Sequence, residues 1–536
     1  VDAVVKDVST SLFGTIVSLD ESPVKEDLIY VGTDDGLIQV TEDAGKTWRK
    51  VSSFPGVPQY TYVSDIFASR FNENVVFASF RNLKNDDFKP YIIKSTDKGR
   101  TWKSISANLP ENGSVHTIEQ DFIKEDLLFV GTEFGAFFSI NGGESWVELK
   151  SGLPSVAVYD MAIQQRESDL VLATFGRGFY ILDNYAPLRE LTGDLPKTDS
   201  HLFEIKDALL FIQTGKLYGQ GSTYYTAPNP EFGATFTLYL KDVPKLKKDI
   251  RREKEKELFK ESKPIPQPTL MELEVEKNEI PAYLLVTIRD SEGSIIRTLT
   301  QKPSKGIQRF NWDLQYENTR AQKVDKFNPF AKNRGSVFVL PGTYSVEISM
   351  VKSGEVTKVA EPKEFVVKAL NNATLPADNR AEMVAFQKEV SKLSKAMVGA
   401  MQLSDDLNKE VITMKQTALS LPTAHEGLIP LLSDIEKELK EIDLIFNGHT
   451  PQASSEELPP ADMPLNDRLG AIIYAQINST SNITSTSKKQ FEILTNEFPP
   501  VLERIIKIAQ EKIIEARKLM DEKEAPYTTG RIPVWN

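Results

Sequence analysis

Short apolar runs recur through the first third of the chain. Leu28–Gly32 (LIYVG), Leu127–Gly131 (LLFVG) and Leu170–Thr174 (LVLAT) are aliphatic and β-branched. Runs this short, bounded by turn residues, predict buried strands, because branched side chains pack well on a pleated surface. The linkers FPGVPQ, LPENGS and LPSVAV supply the Pro and Gly that punctuate them. Past Ala234 the polarity alternates, predicting strands in ATFTLYLKD, AYLLVTIRD, IIRTLTQ, IQRFNWDLQY, GTYSVEISM and KEFVVK. Past Met383 the apolar spacing changes to three and four. That predicts helices over Met383–Met401, Leu428–Phe446, Pro464–Ile477 and Val501–Met520.

The early runs belong to a repeat. Glu26–Val51 matches Glu125–Leu149, and each carries an eight-residue phrase: TEDAGKTW (Thr41–Trp48) and SINGGESW (Ser139–Trp146). A third copy, STDKGRTW (Ser95–Trp102), follows a longer insertion, and a degenerate fourth keeps only Asp183. The phrases lie 54 and 44 residues apart, near the length of one four-stranded propeller blade.

The phrase reads as a hairpin turn. Its acid accepts backbone hydrogen bonds as an Asx-turn residue does, its glycine supplies a positive φ, and its tryptophan is expected to bury a ring between blades. The structural set is Asp43, Gly45 and Trp48; Asp97, Gly99 and Trp102; Asn141, Gly143 and Trp146. Equivalent acids on separate blades do not flank one bond, as a hydrolytic carboxylate pair must.

S/T-x-D-x-G-x-T-W resembles the Asp-box, or BNR repeat, of sialidase-like and sortilin-like propellers. VGTDDGLIQVTEDAGKTW and DLVLATFGRGFYILDN are similar to segments of large bacterial proteins often labelled glycosyl hydrolase. The resemblance runs on to the terminal GRIPVW and covers most of the chain. It implies propeller blades, a peptide or protein ligand, and export to the periplasm, cell surface or medium. Sortilin-like propellers have more than four blades. The resemblance therefore implies that an N-terminal propeller segment or a separate chain completes these. The opening VDAVVKDVSTSLFG reads like the middle of a repeat, as in a mature fragment or the C-terminal part of a longer polypeptide.

The expected fold is multidomain, mainly β and then α. Residues 1–190 hold Asp-box β-propeller blades, 191–233 a connector, and 234–370 an Ig-like β-sandwich. The phrase GSIIRTL…GIQRFNWDL…LPGTYSVEI resembles FlgD-like modules, with Trp312 in the core. A charged helical insertion occupies 243–279. Residues 371–524 form a helical bundle, and 525–536 an apolar-ended docking tail.

Composition narrows the chemistry. The chain has 536 residues, a net charge of −12 and no cysteine, which excludes disulfides, thiolate metal sites and Cys nucleophiles. An acidic surface argues against nucleic acid, and no apolar run reaches membrane-spanning length. No cofactor or metal motif is present. The four histidines, His116, His201, His425 and His449, are scattered and read as solvent or loop residues. Candidate chemistry reduces to a few positions. Asp34, Asp35 and Glu133 stand at the VGT-type turns, as hydrolytic acids or as turn caps. Arg177 replaces the blade glycine, as an anion binder or an interblade ion pair. Tyr224 and Tyr225 offer stacking faces. Two functions fit: a non-enzymatic binding or scaffolding protein, or a sialidase-like or xyloglucanase-like glycoside hydrolase acting in the channel.

Overall fold

The computed structural model describes residues 14–213, 219, 221, 223, 225–318, 327–331, 335–424, 426–451, 453–477 and 479–535. The chain divides into two compact units, residues 1–198 and 199–536.

The first unit is four successive antiparallel meanders. The first runs β1 (Ile16–Glu21), β2 (Ile29–Thr33), β3 (Ile38–Thr41), β4 (Arg49–Val51). The second is β5 (Tyr62–Ala68), β6 (Val76–Asn82), β7 (Asp87–Ser95), β8 (Lys103–Ser104), and the third β9 (Val115–Gln120), β10 (Leu128–Thr132), β11 (Gly135–Ser139), β12 (Val147–Glu148). The fourth has three strands, β13 (Val158–Gln164), β14 (Asp169–Thr174) and β15 (Gly178–Leu182). The first strands of the sheets pack in series, β1 on β5, β5 on β9 and β9 on β13. Sequential meanders stacked through their first strands are propeller blades.

Each of the first three blades buries its forward face on the next. Tyr30, Ile38 and Val40 meet Val63, Ile66 and Phe80. Phe77 and Ile92 meet Val115, Ile118 and Val130. Phe129, Ala136 and Phe138 meet Val158, Met161 and Leu172. The glycine of the VGT phrase follows from this stacking. A Cβ at Gly32 would stand 2.5 Å from Val63 Cγ1, and one at Gly131 2.5 Å from the Val158 carbonyl.

The Asp-box joins third to fourth strand in blades one to three. Asp97 Oδ1 accepts from the Thr101 amide (2.8 Å) and the Ser95 hydroxyl (2.8 Å), while Oδ2 accepts from the Thr101 hydroxyl (2.7 Å). Asp43 repeats the set with Thr41 and Thr47; at Asn141, Oδ1 accepts from the Ser139 hydroxyl and the Ser145 amide, while Nδ2 donates to the Ser145 hydroxyl. The glycines sit at positive φ, 84° at Gly45, 73° at Gly99 and 94° at Gly143. Hydrogen bonds from Thr47 and Thr41 hold Asp43 down at about 2. At Asp97 burial is the largest effect and pushes upward, yet bonds from Thr101, Ser95 and the Arg100 amide bring it to about 2.

The tryptophans depart from the expectation of uniform burial. Trp146 is 4% exposed, Trp102 is half-buried against Phe54, and Trp48 is 46% exposed. Trp146 gains its cover from the segment between blades, where the Ile105 carbonyl accepts from Nε1 (2.8 Å) and Asn108 grips its backbone.

The second unit opens with a β-sandwich. One sheet is ordered β16 (Ser200–Leu202), β18 (Ala234–Leu240), β21 (Gly306–Trp312). The other is ordered β17 (Ala208–Leu210), β23 (Glu355–Ala369), β22 (Gly342–Lys352), β19 (Tyr283–Asp290), β20 (Ile295–Gln301). Trp312 is fully buried between them, edge-on to Tyr344 and Phe365, and donates to the Gln315 carbonyl. Two strands come from the expected connector: β16 pairs with β18, and β17 pairs in parallel with β23. Three residues are too few for alternation to register. Between β18 and β19 lies a helical hairpin, Lys247–Lys260 and Leu270–Asn278, tied by Arg251 to Glu276.

Helices Arg380–Ala418, Leu428–Asn447, Leu465–Ile477 and Ser485–Lys507 follow, the last running through a π turn into Ile513–Glu522. One apolar core unites them, including Met397, Met414, Leu432, Leu439, Ile472 and Ile505. The tail departs from the expected apolar docking. Ile532, Val534 and Trp535 are exposed, and the anchor is Arg531, bonded to Asp521 and to the Ala525 and Pro526 carbonyls. A guanidinium can satisfy several acceptors at once, which three apolar side chains cannot do.

Candidate functional site

The turns joining second to third strands, and the starts of the first strands, gather at one end of the blades. This is where the register places Thr33 opposite Ile16, Thr132 opposite Val115 and Thr174 opposite Val158. Most sequence-selected residues lie here, in separate roles. Asp34 Oδ1 accepts from the Thr15 amide (2.8 Å) and Asp35 Oδ1 from the Thr33 hydroxyl (2.5 Å), so both cap the first blade's turn. Arg177 is exposed in the β14–β15 turn and forms no ion pair among the described residues. Tyr225 is exposed, and Tyr224 and His425 lie outside the described residues.

Glu133 leads to the residues that sequence reasoning missed. Its Oε2 lies 2.9 Å from His116 Nε2. His116 is not a solvent or loop residue: it stands on β9 and is buried. A carboxylate only accepts, so Nε2 carries the proton. Nδ1 is buried without a partner among the described residues. Burial depresses the imidazole, with Arg81 acting the same way and Glu133 opposing. The ring stacks on Tyr159 at 4.3 Å and 13°, and Tyr159 leans on exposed Phe175 at 5.6 Å. The Arg81 guanidinium covers Tyr62 at 4.4 Å and reaches Tyr159 at 5.9 Å. Blades two, three and four thus contribute to one aromatic and cationic surface, with the His116–Glu133 pair beneath it.

A second set of acids lines the first strands. Asp65 Oδ2 accepts from the Ile118 amide (2.9 Å) and the Thr117 hydroxyl (3.0 Å) of the next blade. Asp20 Oδ2 accepts from the Ala68 amide (2.7 Å), and Glu119 pairs with Arg70 at 3.2 Å. Burial raises Asp65 to about 7 despite those two bonds. It also raises Glu119 to about 7 against Arg70. Aligning the segments before each VGT-type phrase could have found Asp65 and Asp160. It could not have found the His116–Tyr159 stack, which no local pattern encodes.

These shifts carry a pH dependence. From about pH 4 to about 7 the folded state holds protons on Asp65 and Glu119 that the unfolded state has released, so stability falls as pH rises through that window. His116 acts oppositely: its folded value lies below 6.5, so its contribution is lost as pH falls below that. Two acids outweigh one imidazole. The first unit's melting temperature is expected to decline from about pH 5 to about pH 7, and Asp65→Asn to flatten the decline. Calorimetry across that range checks it; an unchanged slope in the variant refutes the assignment.

Among the described residues no His, Asp or Glu group is arranged to hold a metal ion, and no helix is long and apolar enough to cross a membrane. No family model and no curated protein matches the chain. Among solved structures it is similar to YCF48 from Cyanidioschyzon merolae, at 17% identity and a TM-score of 0.26 over 32% of this chain and 53% of that one. It is also similar to YCF48 bound to D1 peptide, at 13% and 0.25 over 36% of this chain and 59% of that one. An ancestral GH74 enzyme matches at 13% and 0.27 over 64% of this chain and 40% of that one. The chain spans about half the length of these structures. At such TM-scores the likeness carries no argument, and the assignment of blades rests on the sheet order and stacking above.

Proposed function

We propose that the chain is a non-enzymatic binding or scaffolding protein of the sortilin-like Asp-box type, exported from the cell. Its ligand is a peptide or protein seated on the blade end around His116. The observation that carries this reading is the surface of Tyr62, Arg81, Tyr159 and Phe175. Aromatic faces and a guanidinium together are what peptide interfaces favour. Arg177 and Asp34 stand at the same end as flanking charges. The sandwich is read as an Ig-like module. The Tyr344 hydroxyl, donating to the Leu340 carbonyl at 2.6 Å, is a contact in keeping with that class.

The test is a phage-displayed peptide library panned over the purified chain, with the selected peptides titrated by calorimetry. Tyr159→Ala and Arg81→Ala are each expected to weaken binding about tenfold or more, with melting unchanged. Affinity unchanged from that of the unsubstituted chain in both variants would sink the proposal.

Glycoside hydrolysis is the second reading, and Asp65 and Glu119 favour it, because a general acid works best near the operating pH. Against it, both carboxylates are engaged by residues of neighbouring blades. Turnover of chromogenic glycosides that disappears in folded Glu119→Gln would move the assignment to an enzyme.

A further inference from the structure

The chain contains three Asn–Gly pairs, Asn112–Gly113, Asn141–Gly142 and Asn447–Gly448. Such a pair has a chemistry of its own. The glycine nitrogen can attack the carboxamide carbon of the asparagine before it, and glycine has no Cβ to hinder the approach. All three asparagines are exposed, so access to solvent does not separate them. Their hydrogen bonds do.

Two pairs are held at both the side chain and the amide. Asn141 Oδ1 accepts from the Ser145 amide and Nδ2 donates to the Ser145 hydroxyl, each at 3.0 Å, while the Gly142 amide donates to the Asp126 carbonyl at 2.9 Å. Asn447 Nδ2 donates to Asp443 and its Oδ1 accepts from Asn466, each at 2.6 Å, while the Gly448 amide donates to the Leu444 carbonyl at 2.8 Å. Attack at either pair must first break these bonds. Asn112 is held by neither kind. Among the described residues its carboxamide makes no hydrogen bond, and the Gly113 amide, across a turn from Pro110, makes none of ordinary geometry.

The free pair sits between blades two and three, where the backbone bears on both. After it, the chain is pinned. The Ser114 carbonyl accepts from the Glu133 amide at 3.0 Å, and the Val115 carbonyl from the Ser64 hydroxyl at 2.8 Å. Before it, the linker holds Trp146 through Asn108 and the Ile105 carbonyl.

We propose that Asn112 is a self-modifying site, converted to aspartate and isoaspartate in the folded chain. Hydroxide removes the Gly113 amide proton, and the nitrogen forms a bond to Asn112 Cγ. The Cγ–Nδ2 bond breaks, and ammonia leaves with a proton from water, which restores the hydroxide. Water then opens the cyclic imide. Opening at the Cγ carbonyl leaves aspartate; opening at the main-chain carbonyl leaves isoaspartate, whose chain runs through the former side chain. Either product adds a negative charge to the linker. Isoaspartate also adds a methylene to the main chain just ahead of a pinned strand. The slack passes back into the linker and loosens its hold on Trp146.

Peptide mass mapping tests this. The folded chain is aged at mildly alkaline and at mildly acidic pH, then digested in acid, where the reaction is slow. The Asn112 peptide is expected to gain the mass difference between OH and NH2, faster at the higher pH because the attacking nitrogen must lose its proton. The Asn141 and Asn447 peptides should stay unchanged until urea unfolds the chain, when all three convert. Enzymatic methylation of isoaspartate should label the aged chain and not the fresh one. Asn112→Gln should abolish the early change with an unchanged circular dichroism spectrum. Equal rates at the three pairs in the folded chain overturn the proposal. So does an Asn112 that converts only in urea.

Discussion

Replacing Asp121 by alanine is expected to cost about 3–5 kcal/mol, the usual loss when one partner of a buried ion pair is removed. The carboxylate is completely buried at the end of β9. Arg189 donates to both its oxygens, at 2.9 and 2.8 Å, and the Tyr185 hydroxyl to one at 2.6 Å. The Ile123 and Lys124 amides close the set. Burial alone would push the carboxyl upward; Arg189, Tyr185 and the Lys124 amide hold it below its ordinary value. Alanine leaves a guanidinium, a phenol and two amides facing a hole. Urea titration followed by circular dichroism measures the loss. Asp121→Asn should recover part of it, because an amide oxygen still accepts. A loss under about 1 kcal/mol in the alanine variant would show that Arg189 finds water instead.

The three box tryptophans should separate when each is cut to alanine. Trp146→Ala is expected to cost about 3–5 kcal/mol, as core aromatic truncations do. It removes a fully packed ring and the bond to the Ile105 carbonyl. Trp48→Ala is expected to cost about 1 kcal/mol, since half of its ring is already in water. Trp102→Ala falls between them, losing its edge-on contact with Phe54 at 5.9 Å. Denaturant midpoints of the three variants give the order. Equal costs would mean that the turn, common to all three, carries the stability rather than the ring.

That second prediction marks how far the sequence reaches. TEDAGKTW, STDKGRTW and SINGGESW encode their own turn, because each Asp or Asn finds its donors within four residues. Helix stripes such as Leu428–Phe446 are legible for the same reason, since one face repeats every turn. The three-residue strands β16 and β17 were not legible, nor was the parallel pairing of β17 with a strand about 160 residues away. The candidate site was half legible. Glu133 was selected for its place beside a VGT-type phrase, but its partner was not.

The sequence by itself therefore determined the repeat, the turn chemistry and the order of strands and helices, all of which rest on neighbours a few residues apart. Only the tertiary structure decided which residues meet across blades. Asp65 meets Ile118 across 53 positions, Asp121 meets Arg189 across 68, and His116 meets Tyr159 across a blade boundary. Burial, the depressed imidazole and the raised carboxyls all follow from those distant contacts. Solvent exclusion is a property of the stacked sheets, and no single segment of chain carries it.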